Sequence, residues 1–225
     1  MRTVAGYPPV PRGENQDPPL DFANHNKPRA GDGPEHLFYT SIQRSSDFVL
    51  TEVTESDLAT EAYLKASGLI FTILRNGYYL EGLAYLIGSE VPEEEICFPA
   101  GEGKIAFVKR TDLAAATAAL LTSEGHENQE YTLTGSEAYS FHDVAQELSK
   151  LAGRPIVFKT SELAPYLAQK VASGFPEVVA NYFAQWGAAV QHGMLAEPHS
   201  TVEPLVGRKP VPLREYLRTA YFPGT

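Results

Sequence analysis

The chain has 225 residues, of which 43% are hydrophobic and 20% are charged, a composition typical of a globular domain with a buried core. Its formal net charge of −10 argues against a nucleic-acid partner, because binding to phosphates needs clustered lysine and arginine. No stretch approaches the ~20 apolar residues of a membrane span, and no apolar block follows Met1 as in a secretory signal, so we expect a cytoplasmic protein with no membrane partner.

The single cysteine excludes an internal disulfide framework and favours a reducing compartment. Cys97 stands in an apolar run with no histidine nearby, which predicts a buried packing thiol. His192 and His199 have too few potential partners for a metal site, so we predict no metal. Three consecutive glutamates at residues 93–95 predict a solvated loop.

Residues 1–35 are rich in proline, glycine, asparagine and aspartate and poor in leucine, isoleucine and valine. Such a segment buries too little apolar surface to offset the entropy of ordering it. We therefore predict a disordered leader over residues 1–35 and one folded domain over residues 36–225.

A strand–helix–strand unit opens the folded part. The apolar run at residues 37–39 predicts a buried strand. Thr54 and Asp57 have the spacing of a capping box at the start of an amphipathic helix that Gly68 ends. Residues 69–74 are almost continuously apolar, as in a parallel strand covered on both faces.

Strand and helix patterns continue to alternate along the rest of the chain. Ser140 and Asp143 repeat the capping-box spacing before a helix that ends at Gly153, and Thr111 with Asp112 predicts the cap of an alanine-rich helix. Further strands are predicted at 104–108, 131–133 and 156–158, and further helices at 166–172, 176–191 and 212–221. This alternation predicts the α/β class.

The first two predicted strands should end at one edge of the sheet, because a right-handed crossover brings the carboxyl ends of parallel strands together. Ligands bind beyond that edge in open α/β sheets. The residues there are Thr40 and Ser41 after the first strand, and Asn76, Gly77, Tyr78 and Tyr79 after the second. Asparagine can donate to and accept from a carboxamide, and glycine lets a ring approach the backbone. The alternative is that Asn76-Gly77 only makes a turn, and the spacing leaves both interpretations open.

Several motifs occur in a fixed order after residue 36: YTS, TESDLATEAYLKASGLIFTILRNGYYLEG, AGEGKIAFVKRTDLAAATAALL and YTLTGSEAYSFHDVAQELSKLAGRPI. Together they resemble the NmrA-like atypical short-chain dehydrogenases, on the branch of the type-2 NAD(P)H:quinone oxidoreductases. The resemblance implies the second half of a Rossmann-like parallel sheet with a C-terminal helical substrate-binding lobe. It also implies reduction of a quinone or related aromatic or polyketide substrate, as in secondary metabolism, with a homodimer left open.

The same resemblance assigns site residues for an NADP or NAD cofactor and a small aromatic substrate. Residues implied to line the nicotinamide and ribose are Thr40, Ser41, Asn76, Gly77 and Tyr78. We expect Tyr79, Lys104 and Trp186 to border the substrate; for Lys104 the resemblance itself implies this position. At helical spacing, Tyr182, Phe183 and Trp186 pack a core in one interpretation and wall an aromatic pocket in the other.

Two departures from the family pattern set up alternatives to an enzyme. The family begins with a strand and a glycine-rich GATGxxG turn that holds the pyrophosphate, and this chain shows no such turn. Ala62 stands where the crossover helix usually has a lysine. The alternatives are therefore a non-catalytic, dinucleotide-sensing or regulatory protein, or an inactive truncated product.

No catalytic residue is predicted. Tyr166 and Lys170 match a Tyr-x-x-x-Lys string, but they stand in the late helical region, far from the predicted edge, which favours a chance match. In quinone reduction the proton can come from water, Tyr78 or Tyr79. Arg110 and Asp112 are interpreted as a structural strand-to-helix cap.

Overall fold

The computed structural model describes residues 35–43 and 52–224. The predicted leader lies outside these ranges except for its last residue, so it stays a prediction. In chain order, the strands and helices are β1 (Leu37–Ile42), α1 (Glu52–Ser67), β2 (Phe71–Asn76), α2 (Leu83–Ile87), β3 (Glu95–Phe98), β4 (Lys104–Ile105), α3 (Arg110–Leu121), β5 (Gln129–Leu133), β6 (Tyr139–Ser140), α4 (Phe141–Ala152), β7 (Val157–Thr160), α5 (Leu163–Ala172), α6 (Glu177–Gln191), α7 (Val202–Val206) and α8 (Leu213–Tyr221).

The central sheet has the order β1–β2–β5, and both pairs of neighbours are parallel. Helix α1 covers one face, where Leu64 packs on Ile73, and helices α3 and α7 cover the other, around Leu74. This double cover explains why β2 is so apolar. The predicted crossover and the α/β class are confirmed.

The remaining elements form a mainly helical lobe around the largest apolar core. Helices α2, α4, α5, α6 and α8 contribute to that core, together with β3 and β7. Strands β3 and β7 pair in parallel, and β4 pairs antiparallel with β6. No helix formed by residues 35–43 and 52–224 is long and apolar enough to cross a membrane.

The ends of two helices follow the sequence signals. At the start of α4, Asp143 N donates to Ser140 Oγ (3.2 Å) and Ser140 N donates to Asp143 Oδ2 (2.8 Å), so the predicted capping box is confirmed. Gly153 ends this helix with a φ of 67°, and Gly68 follows α1 with a φ of 75°. Both are left-handed conformations that glycine adopts without strain.

Three local predictions were wrong or incomplete. Helix α1 begins at Glu52, so Thr54 lies buried inside it and is not its cap. Only Lys104 and Ile105 of the strand predicted at 104–108 pair in a ladder, because Ala106 N already donates to Leu195 O (2.8 Å). The predicted helix at 166–172 begins earlier, at Leu163.

The segment around Cys97 also differs from the prediction. Glu95, predicted in a solvated loop, begins β3, which pairs with β7. Cys97 is half-buried on this strand, and its Sγ donates to Glu95 Oε1 (3.4 Å). Burial and this hydrogen bond raise the pKa of the thiol. The strand alternates, so Ile96 and Phe98 take the buried positions instead.

Asp112 ties the start of α3 to the C-terminal part of the chain. Its carboxylate is fully buried and accepts from Arg208 Nη2 (2.5 Å) and from Val211 N (2.7 Å). Asp112 is therefore structural, but the predicted cap was wrong: α3 begins at Arg110 after the N-cap residue Lys109, and Asp112 binds partners almost a hundred residues away.

We expect Asp112→Asn to lower the free energy of unfolding by roughly 2–3 kcal/mol, because it removes the charge from a buried acceptor that binds two donors. Urea denaturation monitored by circular dichroism measures the effect. The matched control is Glu124→Gln, which removes the same charge from an exposed site and should change stability by less than about 0.5 kcal/mol. Equal stability of the two variants would contradict the prediction.

Candidate functional site

A cavity of about 420 Å³ opens where β1 and β2 end. Its lining combines polar groups from the strand ends with aromatic side chains from α2 and α6. The lining residues are Thr40, Ser41, Ile42, Asp57, Asn76, Gly77, Tyr78, Tyr79, Gly82, Tyr85, Arg110, Tyr182, Phe183 and Trp186. The fold thus brings the residues predicted at the two strand ends to one cavity, together with Trp186.

The β1 side of the cavity is held by α1. Ser41 is buried, and its Oγ donates to Glu61 Oε1 (2.6 Å). Asp57, which lines the cavity, accepts from the Tyr39 hydroxyl (2.7 Å). Burial and this hydrogen bond raise the pKa of Tyr39 to about 12, so its phenol stays a hydrogen-bond donor at neutral pH.

A charge network around the buried Glu61 carboxylate fixes the same side. The Glu61 carboxylate accepts from Arg75 Nε (3.1 Å) and Nη2 (2.5 Å). Glu130 accepts from Arg75 Nη2 (2.6 Å) and pairs with Lys65 Nζ (2.6 Å). The hydrogen bond that Arg75 donates to Glu61 raises the pKa of the guanidinium despite the opposing effect of burial. The network joins α1, β2 and β5 directly behind Ser41.

Asn76 is the last residue of β2 and presents an unsatisfied acceptor. Its backbone carbonyl accepts from Gln43 N (2.8 Å). Its side-chain Oδ1 is buried, and no group among the described residues donates to it. A buried acceptor without a donor costs about 1–3 kcal/mol, so a ligand N–H at this position would be favourable.

Gly77 was predicted to let a ring approach the backbone, and in the structure it also allows close packing of the chain around it. A Cβ on Gly77 would lie 3.1 Å from Thr134 Cγ2, 3.2 Å from Leu133 O and 3.3 Å from Ala106 O. Its backbone N also donates to Leu133 O (2.8 Å). The missing side chain therefore lets the turn after β2 pack against the end of β5, and Gly77 meets the cavity with its backbone.

Aromatic rings form the opposite wall. Tyr78 and Tyr182 both meet Trp186 edge-on, with centroid distances of 5.1 and 6.0 Å. Tyr85 stacks on Phe183 at 6.0 Å and 15°. Burial raises the pKa of Tyr78 well above its ordinary value, so this phenol is neutral. Phe183 and Trp186 also belong to the apolar core, so this segment both packs the core and lines the cavity.

The structure places two basic residues differently from the prediction. Lys104 does not line the cavity; it is exposed on β4, opposite Ser140. Arg110, interpreted as a structural cap, does line it, and its Cζ lies 4.9 Å from the centroid of the Tyr79 ring. The parallel bridge between Tyr79 and Val108 brings Arg110 there. The one sequence signal for it is its position just after a predicted strand end.

Tyr166 and Lys170 lie away from this cavity. Lys170 Nζ donates to Tyr85 O (2.7 Å) and Leu86 O (3.2 Å) and lies 5.6 Å from the centroid of the Tyr166 ring. The ammonium thus caps the end of α2. The Tyr-x-x-x-Lys string is therefore part of the helical lobe and forms no dyad at the strand ends.

Comparison with known proteins finds several relatives that are named oxidoreductases. No family model matches the chain. Quinone oxidoreductase 2 of Escherichia coli (strain K12) is 31% identical over 185 residues, which are 81% of this chain and 64% of the relative. An NmrA-like family domain-containing oxidoreductase of Aspergillus flavus is 28% identical over 189 residues, 82% of this chain and 61% of the relative. The chain thus spans somewhat less than two thirds of these curated relatives.

A solved structure matches the fold. The NADPH-dependent quinone oxidoreductase of Escherichia coli, complexed with NADPH, has a TM-score of 0.74 and 29% identity, over 80% of this chain and 64% of that chain. The resemblance inferred from the sequence motifs is therefore confirmed: the chain is a relative of the NmrA-like oxidoreductases, close to quinone oxidoreductase 2, and has their Rossmann-like α/β fold.

Proposed function

We propose that this chain provides the nicotinamide and substrate side of an NAD(P)H-dependent oxidoreductase that reduces a quinone or a related aromatic. The observation that carries the proposal is the cavity at the strand ends, which is lined by aromatic rings and by Asn76, whose buried Oδ1 has no donor among the described residues. The similarity to the quinone oxidoreductase of Escherichia coli, whose structure has been solved with NADPH, supports the same activity.

The residues present fit the nicotinamide end of the cofactor. Asn76 Oδ1 would accept from the carboxamide, and Thr40, Ser41 and the Gly77 backbone would border the ring and ribose. A bound reduced nicotinamide supplies the hydride. Tyr78 and Trp186 exclude water and offer ring edges and faces to a flat aromatic substrate. A tyrosine hydroxyl of Tyr78 or Tyr79, or water, supplies the proton.

The proposal is confined to the nicotinamide end. Within residues 35–43 and 52–224, no glycine-rich turn leads from a strand into a helix to hold a pyrophosphate. The first test therefore uses a cofactor fragment without the adenylate half, reduced nicotinamide mononucleotide.

Asn76→Ala should weaken binding of this fragment by about tenfold, because the carboxamide loses its acceptor. Trp186 is the only tryptophan of the chain and lines the cavity, so quenching of its emission measures the dissociation constant directly. Asn181→Ala is the matched control, since that side chain only donates to Glu177 O of its own helix (3.0 Å). An unchanged dissociation constant for Asn76→Ala would remove Asn76 from the site.

Turnover is tested separately, by the oxidation of NADPH in the presence of benzoquinones, naphthoquinones and polyketide quinones. Reduction of the polyketide quinones in preference to the simple ones would support the role in secondary metabolism that the family resemblance implies. Saturable binding of NADPH without its oxidation would favour a dinucleotide-sensing protein over an enzyme. No binding of NADPH or of the fragment, together with no oxidation, would overturn the proposed function.

A further inference from the structure

We infer that Arg110 recognises an anionic group on the substrate, so that the cavity selects aromatic compounds that carry a carboxylate or a sulfonate. The inference rests on the proposed function and names the substrate class of the same site. It depends on where the guanidinium lies, on which charges surround it, and on what the rest of the cavity can bind.

Arg110 lies at the mouth of the cavity. It is the first residue of α3 and is exposed. It also lines a second, more open groove of about 490 Å³ along α3, which shares Asn76 and Tyr79 with the cavity. A group that projects from a ring bound in the cavity toward this groove would pass the guanidinium.

The side chain is held in place while its donors stay available. Its Cζ lies 4.9 Å from the centroid of the Tyr79 ring, a cation–π contact that leaves the N–H groups at the rim of the guanidinium pointing outward. In the part of the chain that the structure describes, no carboxylate lies within ion-pair distance of it. The nearby carboxylate of Glu81 accepts from the backbone N of Arg110 instead (3.2 Å).

The other charges make Arg110 distinctive. Arg75 is paired with Glu61, and Arg208 is paired with Asp112. The second charged residue of the lining, Asp57, comes from α1, which covers the opposite face of the sheet from α3. An anionic group is therefore repelled at the α1 side and attracted at the α3 side, which would give an anionic substrate one orientation.

The remainder of the cavity suits a flat ring. Tyr85 on Phe183, and Tyr182 and Tyr78 around Trp186, provide aromatic contacts without a further charge. A planar guanidinium forms two parallel hydrogen bonds with a carboxylate or with two sulfonate oxygens. An aromatic substrate with an anionic group would therefore place its ring against the aromatic wall and its anion at Arg110.

The test compares two probes of almost the same shape, anthraquinone-2-sulfonate and the uncharged anthraquinone-2-sulfonamide, by quenching of Trp186 emission. The sulfonate should bind about tenfold more tightly. Arg110→Gln should abolish this preference, and Arg110→Lys should keep part of it, because it retains the charge but loses the fork. Lys109→Gln is the matched control: it removes the same charge from the neighbouring position, which does not line the cavity, and should preserve the preference.

Three outcomes would overturn the inference: no preference for the sulfonate, an equal loss of both probes in Arg110→Gln, or weaker binding of NADPH in this variant with the sulfonate unaffected. Because binding is read without turnover, the two proposals fail separately. If anthraquinone-2-sulfonate binds through Arg110 and no quinone is reduced, only the proposed function is overturned. If charged and uncharged quinones are reduced equally well, only this inference is overturned.

Discussion

Replacement of Glu61 by alanine should lower the free energy of unfolding by roughly 2–3 kcal/mol, because it removes a buried carboxylate that accepts from two side chains, while Arg75 keeps its ion pair with Glu130. The Glu61 side chain is only 3% exposed, and its carboxylate accepts from both Ser41 and Arg75. Alanine would leave the Arg75 guanidinium beside an apolar gap and would remove the carboxylate that accepts from Ser41 Oγ. Denaturant titration measures the loss.

The network contains its own control. Glu130 also pairs with Arg75, but its side chain is 32% exposed, so Glu130→Ala should cost less than about 1 kcal/mol. Glu61→Gln should fall between the two, because the amide keeps the shape and can still accept from Ser41. Similar losses for Glu61→Ala and Glu130→Ala would show that burial does not set the strength of this network.

Gly103→Ala is expected to destabilise the fold by about 3 kcal/mol, at the upper end for overpacked sites. A Cβ there would lie 2.0 Å from Val190 O and 2.5 Å from Val190 C, and both are backbone atoms that no rotamer change can move. The end of α6 would have to shift, and the same helix carries Phe183 and Trp186. We therefore also expect a change in the emission maximum of Trp186 in the folded protein.

The neighbouring residue provides the comparison for Gly103. The Glu102 side chain is 87% exposed on the same turn, so Glu102→Ala should change stability by less than about 0.5 kcal/mol and leave the emission unchanged. Unfolding of Gly103→Ala at the same urea concentration as the unsubstituted chain would contradict the close approach of this turn to α6.

The crossover unit and the strand-end cavity could be predicted because they depend on local patterns and one rule of handedness. The apolar run of β2, the glycine after α1 and the capping box of Ser140 each specify structure within a few residues. The rule that parallel strands end at one edge then brings Thr40 and Asn76 together without any knowledge of the packing.

The sequence analysis missed the features that depend on pairing between distant segments. Strand β3 is only four residues long, begins with a charge and pairs with residues 60 or so positions away, so its alternation was too short to detect. Arg110 reaches the cavity because Val108 N donates to Tyr78 O (3.0 Å) and Leu80 N donates to Val108 O (3.0 Å). No local sequence pattern predicts those two hydrogen bonds. The position of Lys104 outside the cavity likewise depends on the pairing of β4 with the distant β6.

The half-exposed thiol on β3 has a practical consequence. Cys97 is the only cysteine and Trp186 is the only tryptophan of the chain. A maleimide dye on Cys97 would therefore form, without any substitution, a unique energy-transfer pair with the indole of the aromatic wall. Because the pKa of this thiol is raised, coupling should proceed faster in mildly alkaline buffer. The pair would report, in solution, whether α6 moves relative to β3 when a ligand enters the cavity.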